Sequence, residues 1–151
     1  MSLSERIQLE MTKAVKAKDK PRLSALRMIR SAIQNREIDK RAALTDEEVV
    51  ETLSSLVKKH KESIEQFRKG NREDLVQKEE SELQVILSFM PEQMNRKEIK
   101  KNLEEIIREL EAEGPGDLGA VMKVAMSRLK GRVEGRLVQQ LVREMLSSRQ
   151  V

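Results

Sequence analysis

Apolar residues recur along this chain at intervals of three and four almost from end to end, and nowhere alternate with polar ones long enough to read as a strand. The first stretch puts Ile7, Met11, Ala14 and Val15 on one face, behind Ser2 and Glu5 at capping-box spacing. Pro21 stands where a second helix starts, and Leu23, Leu26, Ile29, Ile33 and Ile38 carry it forward. Thr45 and Glu48 repeat the capping-box spacing ahead of Val49, Leu53, Leu56, Val57, Ile64 and Phe67, and Gly70 stops that run. Asn71 and Asp74 read as the cap of a fourth helix through Leu75, Leu83, Ile86, Leu87 and Met90, closed by Pro91. A fifth starts at Asn95, with Glu98 three residues on, and presents Ile99, Leu103, Ile106, Ile107 and Leu110 before Gly114-Pro115-Gly116 interrupts it.

Two shorter amphipathic helices complete the pattern. Asp117 is placed to cap the sixth, Gly119 lies in its first turn, and Leu118, Val121, Met122, Ala125 and Leu129 form its apolar face, with Gly131 as its stop. After Gly135 the seventh shows Leu137, Val138, Leu141, Val142, Met145 and Leu146. The expected architecture is all-α, with an N-terminal bundle of about four helices over 1–91 and a C-terminal three-helix subdomain over 92–151. The division is set near 91–95, because Pro91 follows a long apolar-rich helix and the later pieces are shorter and separately capped. No internal repeat and no low-complexity segment is apparent.

Composition narrows the chemistry. The chain has 151 residues, 38% hydrophobic and 37% charged, enough for one compact domain or two small ones but not for a large enclosed active site. It contains no cysteine, tryptophan or tyrosine, which excludes disulfides, thiolate chemistry and cysteine-ligated metals. No apolar run approaches the roughly 18 residues of a membrane span, and Glu5, Arg6 and Glu10 occupy the N-terminus where a signal peptide is apolar. These features lead to the expectation of a soluble, cytoplasmic protein with no membrane partner.

Net charge is only +4, but it is unevenly spread. Residues 1–41 and 118–151 carry an excess of Lys and Arg, while 42–117 carry an excess of Asp and Glu. Solvated helix faces that neutralise one another would produce this distribution, and so would a polyanion-binding surface. The densest basic stretch is the connection between the last two helices. There Lys130, Arg132 and Arg136, flanked by Lys123, Arg128 and Arg143, have only Glu134 close by in sequence. Arg22, Arg27 and Arg30 form a weaker second set, since Arg27 and Arg30 are equally suited to pair with acids of the third helix. Gly131 and Gly135 read first as the stop and restart of two helices, and second as positions where the backbone can approach a phosphate.

The search for catalytic residues returns none, and no cofactor is expected: phosphate-binding loops, nucleophile elbows and metal-ligand spacings are missing. His60, between Val57 and Ile64, reads as a core or flank residue. Glu79, Glu80 and Glu82 read as a solvated face paired with lysines rather than a metal site. Phe67 and Phe89, the only aromatics, fall at apolar helix spacings and so read as core rather than as platforms for bases. Met122, Met126 and Met145 read as packing residues.

Several stretches carry a family resemblance: Met1-Ser2-Leu3-Ser4-Glu5-Arg6-Ile7, Arg22-Leu23-Ser24-Ala25-Leu26-Arg27-Met28, Glu37-Ile38-Asp39-Lys40, Glu62-Ser63-Ile64-Glu65-Gln66-Phe67, Asn71-Arg72-Glu73-Asp74-Leu75-Val76, Glu79-Glu80-Ser81-Glu82-Leu83, and 114–146. In this order they resemble the YqeY family, small proteins similar to the tail domain of GatB, the B subunit of the aspartyl/glutamyl-tRNA amidotransferase. The chain departs from that family at Ala120 and Lys123, where many relatives carry a lysine and a glycine. It also reads Arg132-Val133-Glu134-Gly135 where relatives often read Arg-Ala-Asp-Gly. The resemblance implies an all-helical, two-part fold and a role in contacting tRNA, without the amidotransferase or kinase machinery. The expectation is a non-catalytic accessory protein that binds tRNA or other structured RNA through phosphate contacts. Two alternatives stand beside it: a helical adaptor docking on an aminoacyl-tRNA synthetase or amidotransferase subunit, and, by family association only, a carbon-nitrogen ligase with glutamine as amide donor.

Overall fold

Helix signals turn into helices wherever a cap or an apolar stripe supports them. In the computed structural model, which describes residues 1–148, these are α1 (Leu3–Lys16), α2 (Lys20–Lys40), α3 (Asp46–Lys69), α4 (Glu73–Leu87), α5 (Arg96–Leu110), a 3-10 turn (Pro115–Asp117), α6 (Leu118–Arg128) and α7 (Gly135–Ser147), with no strand among the described residues. The chain divides into two compact units, Met1–Met90 and a second from Pro91 onward.

In the first unit α1 packs on α2, α2 on α4, and α3 on α4. Ile7, Met11, Leu26, Ile29, Ile33, Val49, Leu53, Ile86 and Phe89 form its main core. A smaller cluster of Ile64, Val76 and Leu83, with Phe67 against it, closes the far part of α3 and α4. Both phenylalanines therefore serve packing, and the Arg6 guanidinium sits 5.1 Å from the Phe89 ring centroid while donating to the Ser88 carbonyl at 2.8 Å. That contact satisfies a carbonyl at the α4 C-terminus, where a cation also suits the helix dipole.

Three apolar positions expected on buried faces are instead exposed: Val15, Ile38 and Leu110, with Ile38 at 71%. Ile38 follows Ile33, the last buried residue of α2, by five positions. That rotates it about 140° away from the buried stripe. The cap of α4 also differs from expectation. Asn71 takes a left-handed backbone (φ 58) to leave α3, and Asp74 accepts from the Arg72 guanidinium at 3.1 and 3.2 Å. Arg72 itself stands at the N-cap with no side-chain cap. The helix ends at Leu87, before Pro91 is reached.

The Thr45 cap forms in full. Thr45 Oγ1 accepts from the Glu48 amide at 3.2 Å, and the Glu48 carboxylate accepts from the Thr45 amide at 3.0 Å. The Lys40 ammonium donates to the same carboxylate, and this bond, then the Thr45 amide, lower the Glu48 pKa from 4.5 to about 2. A carboxyl group whose folded pKa is depressed adds stability above its unfolded value and loses it as pH falls toward the folded one. Stability is therefore expected to decline from about pH 4.5 to about pH 2. Glu48→Gln should flatten the urea midpoint across that window, and Thr45→Ala should cost about 1 kcal/mol at neutral pH.

Candidate nucleic-acid interface

The second unit is built on α5, α6 and α7, whose buried faces meet through Ile99, Leu103, Ile106, Ile107, Val121, Ala125, Val138, Leu141, Val142 and Leu146. Asn95 caps α5 by accepting from the Glu98 amide at 2.9 Å. Asp117 stands at the N-cap of α6 but makes no cap bond there. Its carboxylate turns back to accept from the Glu113 amide at 2.9 Å, which ties down the loop before the helix.

The basic connection after α6 is held from a distance. Leu129, buried, is the C-cap of α6, and Gly131 follows with φ 78. The Gly131 carbonyl accepts from Gln93 Nε2 at 2.8 Å, and the Arg132 carbonyl accepts from the Met94 amide at 2.9 Å. Arg132 also donates from Nε to the Glu92 carbonyl at 3.2 Å. Segment 92–94 thus straps the turn in place. No local sequence pattern marks these partners, because they lie some 40 residues upstream in the chain.

This arrangement assigns Gly131 a structural role: it is buried, left-handed, and its carbonyl is occupied. Gly131→Ala is expected to cost about 1–2 kcal/mol in urea unfolding, the strain of an alanine at positive φ. Gly135 opens α7 with ordinary space around it, a Cβ there meeting only Met126 Cε at 3.7 Å, and Gly119 has nothing within 4 Å. Neither glycine is required by packing.

The sequence-predicted cations separate into two groups. Lys123, Arg136 and Arg143 are exposed, and no ion pair engages them among the described residues. Arg136 and Arg143 lie seven residues apart on α7, so they share the face opposite Leu141 and Val142. Lys130 and Arg132 add exposed charge on the turn between the helices.

Arg128 does not belong with them. It pairs with Glu109 of α5, which raises the Arg128 pKa and lowers that of Glu109 through their hydrogen bond. Its expected membership of an open cluster is corrected by this cross-helix acid, invisible in the local sequence. In the first unit Arg22 is likewise committed, to Glu10 of α1 at 3.3 Å. Arg27 and Arg30 are exposed and make no ion pair among the described residues. The arginine that does reach α3 is Arg36, which donates to the Glu48 carbonyl, Thr52 Oγ1 and Glu51.

The acidic stretch of α4 also differs from expectation. Glu80 pairs with Arg68 at 3.0 Å, but Glu79 and Glu82 turn to His60. These three are the one group among the described residues with the donor set and proximity to hold a metal ion.

A family model described as Yqey-like protein matches residues 4–146. The chain belongs to the YqeY family. Three curated relatives carry the same name, "Altered inheritance of mitochondria protein 41, mitochondrial". The protein from Pyrenophora tritici-repentis is 31% identical, over 95% of this chain and 81% of its own length. The Lachancea thermotolerans protein is 35% identical over 72% of this chain and 60% of its own length. The Eremothecium gossypii protein is 38% identical over 56% and 46%. The chain thus spans between about half and four-fifths of the relatives it matches.

Those names contradict the cytoplasmic expectation, since the relatives are named as mitochondrial proteins. The expectation rested on the absence of cysteine, of an apolar run of membrane length and of an apolar N-terminus, and a cysteine-free composition does not distinguish one reducing compartment from another. That no helix among the described residues is long and apolar enough to cross a membrane stands as a separate fact.

Proposed function

We propose that this YqeY-family protein is a non-catalytic accessory factor that binds tRNA or a similarly folded RNA through its second unit. The reading is supported by one observation above all: Lys123, Arg136 and Arg143 stand exposed and without ion pairs on α6 and α7, the two helices joined by a turn whose backbone is fixed by segment 92–94. Cations held on short, packed helices present a fixed pattern of charge, which suits phosphates arrayed on a folded RNA. With Phe89 buried and Phe67 packed against a core cluster, no aromatic platform favours splayed single-stranded bases. The resemblance to the tail of GatB supports the choice of tRNA among structured RNAs.

The test is an electrophoretic mobility shift of labelled bulk tRNA at low and at near-physiological salt. Binding that persists at about 150 mM salt and weakens along a log-log line supports the proposal. Absence of a shift at both salts overturns it. Capture of an aminoacyl-tRNA synthetase or amidotransferase subunit that survives nuclease would then favour the adaptor role.

A further inference from the structure

His60 is 6% exposed, and both of its ring nitrogens are engaged. Nδ1 lies 2.9 Å from the Leu56 carbonyl, one helical turn earlier. A carbonyl only accepts, so Nδ1 carries the hydrogen and the ring's other nitrogen is left to face α4. There Nε2 meets Glu82 Oε2 at 2.9 Å and Glu79 Oε2 at 3.4 Å. The two glutamates are three residues apart, on one face of α4, and their side chains are only 17% and 22% exposed. All three ligand atoms lie within 4.8 Å of one another.

Ionised carboxylates are acceptors only, and a neutral imidazole with its hydrogen on Nδ1 offers a lone pair at Nε2. With the imidazole neutral, three electron-pair donors converge from two helices, a set that a bound cation would satisfy. We propose that His60, Glu79 and Glu82 form a divalent-metal site of the Zn2+ class that joins α3 to α4. Imidazole with carboxylates is a donor set that zinc accepts, at bonds of about 2.0–2.2 Å. The edge of a tetrahedron with such bonds is about 3.4 Å; the Nε2 to oxygen distances of 2.9 and 3.4 Å lie at or just below it, and the two oxygens lie within 4.8 Å of each other. The Nδ1 hydrogen bond to a backbone carbonyl is the outer contact that orients metal-ligating histidines. Water would complete the coordination, since both glutamates retain some exposure.

The experiment is calorimetric titration of the metal-stripped full chain with ZnCl2 near neutral pH, beside the double variant Glu79→Gln/Glu82→Gln and the single variant His60→Gln. Far-UV circular dichroism checks that each variant folds, and the visible spectrum after Co2+ addition to the wild type reports nitrogen and oxygen coordination independently of them. The expected result is one equivalent bound at micromolar affinity or better, a thermal midpoint raised by several degrees in excess zinc, and at least about a hundredfold weaker binding in the double variant. Less than one equivalent at micromolar affinity, or undiminished binding by the folded variants, would overturn the site.

Discussion

Arg136→Glu/Arg143→Glu is expected to weaken binding of bulk tRNA by at least about a hundredfold near 150 mM salt, with no loss of helix. Between 1 M and about 0.15 M salt, one released counterion is worth about fivefold in affinity. Reversing a charge rather than deleting it about doubles that exponent, so two reversals come to several hundredfold on the order-of-magnitude scale. The pair is chosen because neither arginine supports the fold: both are exposed, and no ion pair engages them among the described residues. Lys130→Glu/Arg132→Glu would test the turn itself, but Arg132 also donates to the Glu92 carbonyl, so its loss mixes binding with local order. Arg27→Glu/Arg30→Glu serves as the comparison, on the other unit, and should change affinity by less than about tenfold. The slope of log affinity against log salt should fall by about two for each α7 arginine reversed, against about one for an arginine merely deleted. Equal affinity of wild type and the α7 variant, each measured at two salts, would remove the second unit from the binding surface.

How far sequence reasoning reached depends on the range of the interactions involved. Local signals were sufficient for the helices: Ser2, Thr45 and Asn95 cap where their spacing predicts, and the apolar stripes of α3 and α5 bury Val49, Leu53, Ile99 and Leu103. Local signals also misled at Asp117 and Asn71, where a residue able to cap was used for a loop bond or a left-handed turn. The basic turn was legible as a cluster of charge, but its state was not. Arg128 is neutralised by Glu109 from the preceding helix, and the turn is strapped by Glu92, Gln93 and Met94. None of these pairs is close in sequence, so composition and spacing carry no trace of them. The same limit applied to Glu79 and Glu82. A run of glutamates has the appearance of a solvated face until the opposite helix supplies a buried imidazole.

Leu141→Ala should cost about 2–5 kcal/mol, the range for emptying a fully buried leucine site. Leu141 is 0% exposed and belongs to the single cluster in which α5, α6 and α7 bury their apolar faces. A unit of this size buries a smaller share of its surface than a larger domain, so it starts with little reserve. Against a total of about 5–15 kcal/mol for an ordinary domain, the lost packing is a large fraction. Hydrogen exchange should then report lower protection across α5–α7, and the urea midpoint should drop, while Leu141→Met, which keeps the volume, should cost less than about 1.5 kcal/mol. The consequence reaches function without touching a charge. Once α6 and α7 loosen, the Met94 and Gln93 bonds to the turn weaken with them, and the cations no longer hold a fixed pattern. tRNA affinity should therefore fall in Leu141→Ala but hold in Leu141→Met. If the alanine variant lost protection yet bound tRNA as the wild type does, the preorganised arrangement of Lys123, Arg136 and Arg143 would not be what the RNA reads.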